Sequence, residues 1–309
     1  MTHGQAFFFQ QVLNIVQLAS FYVPLALAFA ILQAITRRIY LSFGDIAMFA
    51  SFAAIYICFD SLLHGYQDPV SAVAALVAAI LCGGAIGLVI ARLVLGQNLL
   101  REPLAYMIAS IGVGIAVQET MRLQSLSRDV WVPPLFAGSA VFRLPGSFPV
   151  SLSVMTATAI AASLLGTLAV IGLLGWTRFG RYWRATAQSL KLASLCGIDA
   201  YQVARMSFVL AGMLSGITGW TAAISYGGAN FSIGLMVGFK AMFASVIGGF
   251  GSLRGAVVGA ITLAIIEVVW SVYFSTAYRD VAVFAIIIMT LVLKPEGLMG
   301  HTGRKESEE

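Results

Sequence analysis

The sequence predicts an all-α protein that crosses a membrane many times. Of its 309 residues, 60% are hydrophobic and only 10% are charged, whereas about 25% of the residues of a soluble domain are charged. The apolar residues fall in runs of about 20, which is the length that an α-helix needs to cross roughly 30 Å of hydrocarbon. Because a bilayer can solvate this much apolar surface and a soluble core of this size cannot, we predict a polytopic transmembrane helical bundle.

We count about nine spans, with a range of eight to ten. They cover residues 12–35, 40–59, 70–95, 104–121, 150–174, 203–223, 233–247, 256–273 and 281–293. The range allows for broken or re-entrant helices, because a polar stretch interrupts the second span early and the seventh is short and glycine-rich. With an external loop at about 122–149 and an internal loop at about 178–200, we predict one transmembrane domain over residues 1–309.

The distribution of basic residues predicts the orientation. If the N-terminus lies outside and the spans alternate, thirteen basic residues lie inside and four outside. The inside set is Arg37, Arg38, Arg92, Arg101, Arg178, Arg181, Arg184, Lys191, Arg205, Arg254, Lys294, Arg304 and Lys305, and the outside set is Arg122, Arg128, Arg143 and Arg279. This bias follows the positive-inside rule and places the C-terminus in the cytoplasm. It also accounts for the net charge of +5, so we expect no nucleic-acid partner.

The ionisable residues Asp45, Glu119, Lys240 and Glu267 fall within or at the edge of predicted spans. At membrane depth such groups must face protein or water. Glu119 and Lys240 lie near span ends, where pairing or snorkelling to the interface is the favoured explanation. For Asp45 and Glu267, lining a translocation path and pairing within the protein both remain open, and a Lys240–Glu267 ion pair is compatible with the sequence.

The stretch Ser42-Phe43-Gly44-Asp45 interrupts the second span. Glycine beside an acid indicates a helix that begins inside the membrane, where transporters direct unpaired N–H groups at polar solutes. The alternative is that Gly44 only permits close packing. We therefore take Ser42, Gly44, Asp45 and Glu267 as candidate residues of a translocation path.

The densest glycine cluster comprises Gly248, Gly249, Gly251, Ser252, Gly255 and Gly259. No Gly-Lys-Ser/Thr ends it, so it is not a phosphate-binding P-loop, and we expect no nucleotide site on this chain. It is typical of a tight turn between two spans, with Gly255 and Gly259 forming a GxxxG face for close helix packing. A plain packing turn and a role in the pore both fit this pattern.

The basic segment from Arg178 to Asp199 predicts a short amphipathic helix ended by a glycine. The pattern rests on Arg184, Leu190, Lys191, Leu195 and Gly197. An exposed apolar stripe favours a protein partner, although a helix lying on lipid headgroups would have a similar pattern.

Three motifs in order resemble the permease subunits of branched-chain amino acid ABC transporters, the LivH type. They are Gly180-Arg181-x-x-Arg184-Ala185-x-Ala187-x4-Lys191-x-Ala193-x-Leu195-x-Gly197-Ile198, the segment from Gly238 to Ala256, and Tyr273-x-Ser275-Thr276-x-Tyr278-Arg279-Asp280-Val281 followed by Lys294-Pro295-x-Gly297-Leu298-x-Gly300. Ser127-Arg128-Asp129-Val130 with Pro134-Leu135-Phe136 resembles the external loop of that family. The resemblance covers nearly the whole chain and is densest after Gly180.

The resemblance implies the ABC-importer permease fold and a location in the bacterial inner membrane. It implies a second, related permease subunit, two cytoplasmic ATPase subunits that bind ATP and magnesium, and a periplasmic binding protein that delivers a small polar solute. The segment from about Arg184 to Cys196 would be the coupling helix that docks into the ATPase, with Arg181, Arg184, Ala185, Ala187, Lys191, Leu195 and Gly197 as its residues. The chain itself would be neither an enzyme nor a cofactor-binding protein.

One departure from the family pattern bears on the solute. The family carries Asn-x-Ala-His-Gly-Glu at the start of the second span, where this chain has Leu41-Ser42-Phe43-Gly44-Asp45. Branched-chain amino acids are the first expectation, and other amino acids, urea or short amides are the alternatives.

Two other classes of protein are less consistent with the residues. An ion-coupled secondary transporter would share the composition, but it would be expected to carry more paired acids in its spans and would not need a docking helix. A membrane enzyme is disfavoured because His3, His64 and His301 lie near the chain ends or in loops, with no metal or nucleophile spacing. The three cysteines form no CxxC pair, so we expect neither a zinc site nor a disulfide framework.

Overall fold

The computed structural model describes residues 3–65, 68–95, 103–132, 140–144, 150–294 and 297–299. Some of the residues used above lie outside this part of the chain: Arg101, Arg304 and Lys305 of the charge count, and Pro134, Leu135, Phe136, Pro295 and Gly300 of the motifs.

The described residues are mainly helical. The helices are α1 (His3–Thr36), α2 (Phe43–Leu63), α3 (Asp68–Leu95), α4 (Pro103–Gln124), α5 (Val154–Trp176), α6 (Arg178–Gln188), α7 (Leu190–Leu195), α8 (Ala200–Tyr226), α9 (Ile233–Gly248), α10 (Leu253–Tyr273) and α11 (Arg279–Leu293). Four short strands pair antiparallel: β1 (Val130–Trp131) with β4 (Gly228–Ala229), and β2 (Ala140–Leu144) with β3 (Val150–Ser153). Within these residues, eight helices are long and apolar enough to cross a membrane, and α9 is a shorter apolar helix of 16 residues. The prediction of a polytopic helical bundle with one short span is confirmed.

Local hydrogen bonds shift several predicted boundaries. Residues 150–153 form β3 and not the start of a span, because the Ser153 side chain accepts a hydrogen bond from the Met155 N–H and so begins α5. In the same way Ser252 accepts from the Gly255 N–H at 3.1 Å, so α10 starts before the predicted residue 256. At the N-terminus, α1 begins at His3, nine residues before the predicted start, so residues 3–11 are helical as well.

Glycines bring the central helices into backbone contact. On α3, Gly83 and Gly87 lie against Gly212 and Phe208 of α8, and the carbonyl of Ala79 lies against Gly216. These pairs run in opposite directions along the two chains, so α3 and α8 are antiparallel. Without side chains between them the backbones approach closely, which is how helices associate where lipid provides no hydrophobic drive. α8 is thereby the central helix, packed against α1, α2, α3 and α5.

We expect Gly212→Ala to destabilise the protein by about 1–3 kcal/mol, because the added methyl group would collide with the carbonyl oxygen of Gly83. The measurement is the thermal unfolding midpoint in detergent. Gly112→Ala on α4 is the matched control, since no neighbouring atom lies within 4 Å of an added Cβ there. Equal midpoints for the two variants would show that α3 and α8 do not pack backbone to backbone.

Candidate functional site

The second span begins inside the helix bundle. The backbone N–H of Leu41 donates to Ser110 Oγ at 3.3 Å, and the ring of Tyr40 packs on Phe208 with centroids 5.5 Å apart. Ser110 and Phe208 lie seven and eight residues into α4 and α8, which is about 10–12 Å at 1.5 Å per residue. Residues 37–42 therefore enter the bundle as non-helical chain, and α2 starts at Phe43, later than the predicted residue 40. Ser42 satisfies its hydroxyl by donating to the Ser110 carbonyl.

Asp45 is enclosed in the first turn of α2, with an exposed fraction of 4%. A side chain at Gly114 of α4 or Gly234 of α9 would collide with its carboxylate, so two glycines make room for it. Among the described residues no hydrogen-bond donor reaches its Oδ1. Because a buried carboxylate without a partner is costly as an anion, a proton, a water molecule or a cationic group is needed to complete its surroundings.

The start of α9 meets the start of α2. Gly44 lies against the backbone of Gly234 and Gly238, so both helices begin beside Asp45. A cavity of about 30 Å³ next to this contact is bounded by α1, α2, α8 and the loop before α9, with Ser51 and Asn230 among its lining residues. That volume holds about one or two water molecules.

Glu267 belongs to a second, separate group of charged residues and one tyrosine, which we define as Tyr22, Lys240, Glu267, Arg279 and Asp280. We name it the outer charge cluster, where outer and inner refer to the orientation that the sequence predicts. Glu267 Oε1 lies 3.0 Å from Lys240 Nζ and 3.2 Å from Arg279 Nε, and the Tyr22 hydroxyl donates to Oε2 at 2.8 Å. Lys240 also contacts Asp280 Oδ1 at 2.7 Å. The Lys240–Glu267 ion pair that the sequence allowed is therefore present, within a cluster of two cations and two anions.

The outer charge cluster fastens four helices together. Tyr22 is on α1, Lys240 on α9, Glu267 on α10, and Arg279 and Asp280 begin α11. Lys240 and Glu267 are almost fully buried, with side-chain exposures of 7% and 4%. These two buried charges have protein partners, which is the condition for keeping them at this depth.

The structure does not bring Asp45 and Glu267 together. Gly234 and Gly238 are four residues apart and share the face of α9 that contacts α2. Lys240 lies two residues further on, about 200° around the helix, and contacts α10 and α11. The path candidates thus divide into Ser42, Gly44 and Asp45 on one side of α9 and Glu267 on the other.

The basic segment folds as two helices, and the prediction of one helix from about Arg184 to Cys196 is wrong. Ser189 is extended (φ −158°, ψ 116°), which ends α6, and its side chain accepts from the Leu192 N–H at 3.3 Å to begin α7. A serine at this position can compete with helix continuation and cap the next helix. Gly197 at φ +78° ends the segment with the left-handed conformation that glycine favours.

The two short helices differ in what they expose. On α6, Trp183 and Thr186 are buried, and Arg184 donates to the carbonyl oxygen of Leu174 at the end of α5. That contact satisfies an unpaired terminal carbonyl and fixes α6 against α5. α7 exposes Leu190, Leu192 and Leu195 at 48%, 64% and 77%, beside the exposed Lys191. Of the predicted coupling residues, Ala185 and Ala187 are half-buried, and Arg181 is exposed.

The glycine cluster forms the turn between α9 and α10. Gly248 lies against the Gly255 carbonyl and Gly259 against the Ala244 carbonyl, while Gly249 and Gly251 have positive φ. The C-terminal segment packs on this turn, since the Leu298 N–H donates to the Ile247 carbonyl at 2.6 Å. The turn lies beside Ala34, near the end of α1.

Sequence reasoning did not find three members of the outer charge cluster. Arg279 enters the sequence analysis through the charge count and a motif, and Asp280 through the motif, although opposite charges at the start of the last span are a usable signal. Tyr22 lies in a continuous apolar run, and nothing in one sequence distinguishes a hydroxyl that meets a carboxylate from one that faces lipid. Glu119 pairs with Arg122 at the surface, as favoured for a residue near a span end.

A bundle of membrane-spanning helices that keeps charged groups in its interior and has two helices beginning inside it is a membrane transport domain. The family model described as "Branched-chain amino acid transport system / permease component" matches residues 11–291, and the chain belongs to this family. It is therefore a multi-pass inner-membrane permease subunit, and the resemblance seen in the motifs is confirmed.

Curated relatives match over almost their whole length. The chain is 34% identical over 302 residues (97% of this chain, 98% of the relative) to the high-affinity branched-chain amino acid transport system permease protein LivH of Escherichia coli strain K12. It is 33% identical, over the same shares, to the LivH protein of Salmonella typhimurium. It is 28% identical over 295 residues (95% of this chain, 96% of the relative) to the permease protein BraD of Pseudomonas aeruginosa.

We expect Lys240→Met to lower the stability by about 3 kcal/mol, the lower end of the range for removing one partner of a buried ion pair, because Arg279 still faces Glu267. The measurement is chemical unfolding in detergent. Arg122→Gln removes an exposed ion pair and is the control, with no measurable effect expected. If both variants were as stable as wild type, the outer charge cluster would not hold the helices together.

Proposed function

We propose that this chain is the permease subunit of an ATP-driven importer and that it passes branched-chain amino acids across the inner membrane as one transmembrane domain over residues 1–309. The relatives named above are permeases of branched-chain amino acid transport systems, and they match from end to end. Other amino acids, urea and short amides are the alternative solutes, because the residues at the start of α2 differ from the family pattern.

Docking of the ATPase through the α6–α7 segment is the central mechanistic proposal. The observation that carries it is the row of exposed leucines on α7, held at a fixed position by the Arg184–Leu174 contact and by a hydrogen bond from Arg37 Nη2 to the Gln188 carbonyl at 3.3 Å. An exposed apolar helix that is fixed to the end of a membrane domain can bind a soluble partner and pass its movement on to the membrane helices. Arg181, Lys191, Leu195 and Gly197 would meet the ATPase, and Arg184, Ala185 and Ala187 would position them.

The remaining partners follow from the same proposal. Two ATPase subunits would bind ATP and magnesium, a second related permease subunit would pair with this one, and a periplasmic protein would deliver the solute. The described residues hold no group of three potential metal ligands. Closure and opening of the path would be driven by the difference in affinity of the ATPases for the two states of the permease.

The path candidates support this proposal at two places. Ser42, Gly44 and Asp45 lie where α2 and α9 begin inside the bundle, and Glu267 lies in the outer third of α10, six residues from its end. The α9–α10 turn with Gly248, Gly249, Gly251, Ser252, Gly255 and Gly259 would then serve as a tight connection between α9 and α10, two of the four helices that carry the outer charge cluster.

The proposed function is tested by purifying the chain with ATPase and permease subunits encoded beside it and measuring ATP-dependent uptake of L-leucine into liposomes that contain the binding protein. Co-purification and ATP-dependent uptake are expected. Uptake by the chain alone, driven by an ion gradient, would replace the importer with a secondary transporter.

Leu195→Asp and Lys191→Glu are expected to abolish or strongly reduce ATPase co-purification and uptake, because both side chains are exposed on α7 and neither supports the fold. Leu63→Asp at the other end of the bundle, where Leu63 is 84% exposed, is the matched control. Arg184→Ala should instead lower thermal stability, since it frees the α5 carbonyl. Unchanged ATPase binding in both α7 variants would remove α7 from the interface.

The N-out, C-in orientation predicts that Cys196, exposed beside α7, reacts with an impermeant thiol reagent only in inside-out vesicles lacking the ATPase. With Cys196 changed to alanine, a Leu123→Cys variant, which places a thiol at an exposed position on the opposite end of the bundle, should react only in right-side-out vesicles. Labelling with the reverse sidedness would invert the topology and place α7 outside.

A further inference from the structure

A groove between α1 and α10 carries both polar and apolar walls in the outer third of the bundle. Its volume is about 380 Å³, which lies within the range of about 300–1,000 Å³ for small-molecule sites. The polar wall contains Gln11, Asn14, Ser271, Glu267 and Arg279. Apolar residues of the same two helices, among them Leu18, Val268 and Val272, also line the groove.

Local contacts orient the polar side chains that line the groove. Asn14 Nδ2 donates to Gln11 Oε1 at 3.2 Å, and Ser271 Oγ donates to the Glu267 carbonyl at 2.8 Å. Arg279 turns its Nε toward Glu267 Oε1 at 3.2 Å. The Arg279 side chain is 39% exposed and lines the groove, so its guanidinium can meet an anionic group there.

The charge balance of the groove selects its ligand. The outer charge cluster pairs two cations with two anions, so a lone anion or cation would leave an uncompensated charge at this depth. A zwitterion adds no net charge. Its carboxylate would bind the Arg279 guanidinium, its ammonium would meet the Gln11 and Asn14 amide oxygens in the field of Glu267, and an aliphatic side chain would cover Leu18, Val268 and Val272.

We propose that this groove is a binding site for a zwitterionic, aliphatic amino acid, with Arg279 as the carboxylate-binding residue. The proposal rests on the proposed function and names one place at which the permease itself contacts its solute. It separates Arg279 and Glu267 in role: Arg279 touches the solute, whereas Glu267, saturated by Lys240, Arg279 and Tyr22, is a positioning residue.

The test is protection of a thiol placed in the groove. Cys58, Cys82 and Cys196 are changed to alanine, and Ser271→Cys is labelled in the full complex with and without L-leucine. At ten times the dissociation constant about a tenth of the sites stay empty, so labelling should slow about tenfold. Val272→Cys, at an apolar lining position, replaces Ser271→Cys if the latter does not assemble.

Analogues and variants make the result specific. Neither 4-methylpentanoate nor 3-methylbutylamine, which each lack one charge of leucine, should protect the thiol at the same concentration. Arg279→Gln should weaken protection by leucine about 10- to 100-fold, as expected for the loss of hydrogen bonds to a charged group, and Arg279→Lys should recover part of it. Arg122→Gln, which removes a cation at the same end of the bundle, should leave protection unchanged.

Three results would overturn the proposal. Equal protection by either analogue would show that binding in the groove does not require both charges of a zwitterion. No protection in a complex that still imports leucine would place the solute elsewhere while the proposed function stands. A thiol that reacts neither with nor without leucine would show that the groove is covered in the assembled complex. If no complex forms, which would refute the proposed function, the same labelling on the purified chain still decides the groove.

Discussion

The contact between Lys240 and Glu267 is the interaction on which the outer half of the bundle depends. Two opposite charges at this depth are stable only together, and each has further partners, with Tyr22 and Arg279 on Glu267 and Asp280 on Lys240. Since these residues come from four helices, the pairing of charge fixes where α1, α9, α10 and α11 stand relative to one another. Hydrocarbon provides no drive to bring apolar helices together, so polar contacts and close packing must do this.

In the centre and at the inner end of the bundle, close packing of backbones holds the helices together. Glycines let α3 and α8 touch backbone to backbone, and a second set holds α9 against α10 at the tight turn. The two kinds of contact meet on α9, which carries Lys240 of the charge cluster and also packs through glycines against α2 and α10. The bundle is therefore rigid around α8 and interrupted on the side where α2 and α9 begin.

Two polar features bear on the proposed solute path, one on that side of the bundle and one in the groove beside α1. Asp45 has an oxygen that no described donor reaches, and the groove presents a guanidinium and amides next to aliphatic side chains. At the other end of the bundle, α7 presents leucines to the solvent. The proposed function would place the solute contacts and the ATPase contact at different positions, because the solute and the ATPase would approach the permease from different sides.

The sequence by itself determined the class of fold, most spans to within a few residues, the family and the residues of the α9–α10 turn, because apolar run length, charge and glycine are local signals. It also indicated that α2 starts inside the bundle. Only the tertiary structure decided that α9 separates Asp45 from Glu267, that Arg184 binds the end of α5, and that Tyr22 completes the charged cluster. Those facts depend on which helix faces meet, and residues such as Tyr22 and Glu267, which are 245 positions apart, carry no local mark of their contact.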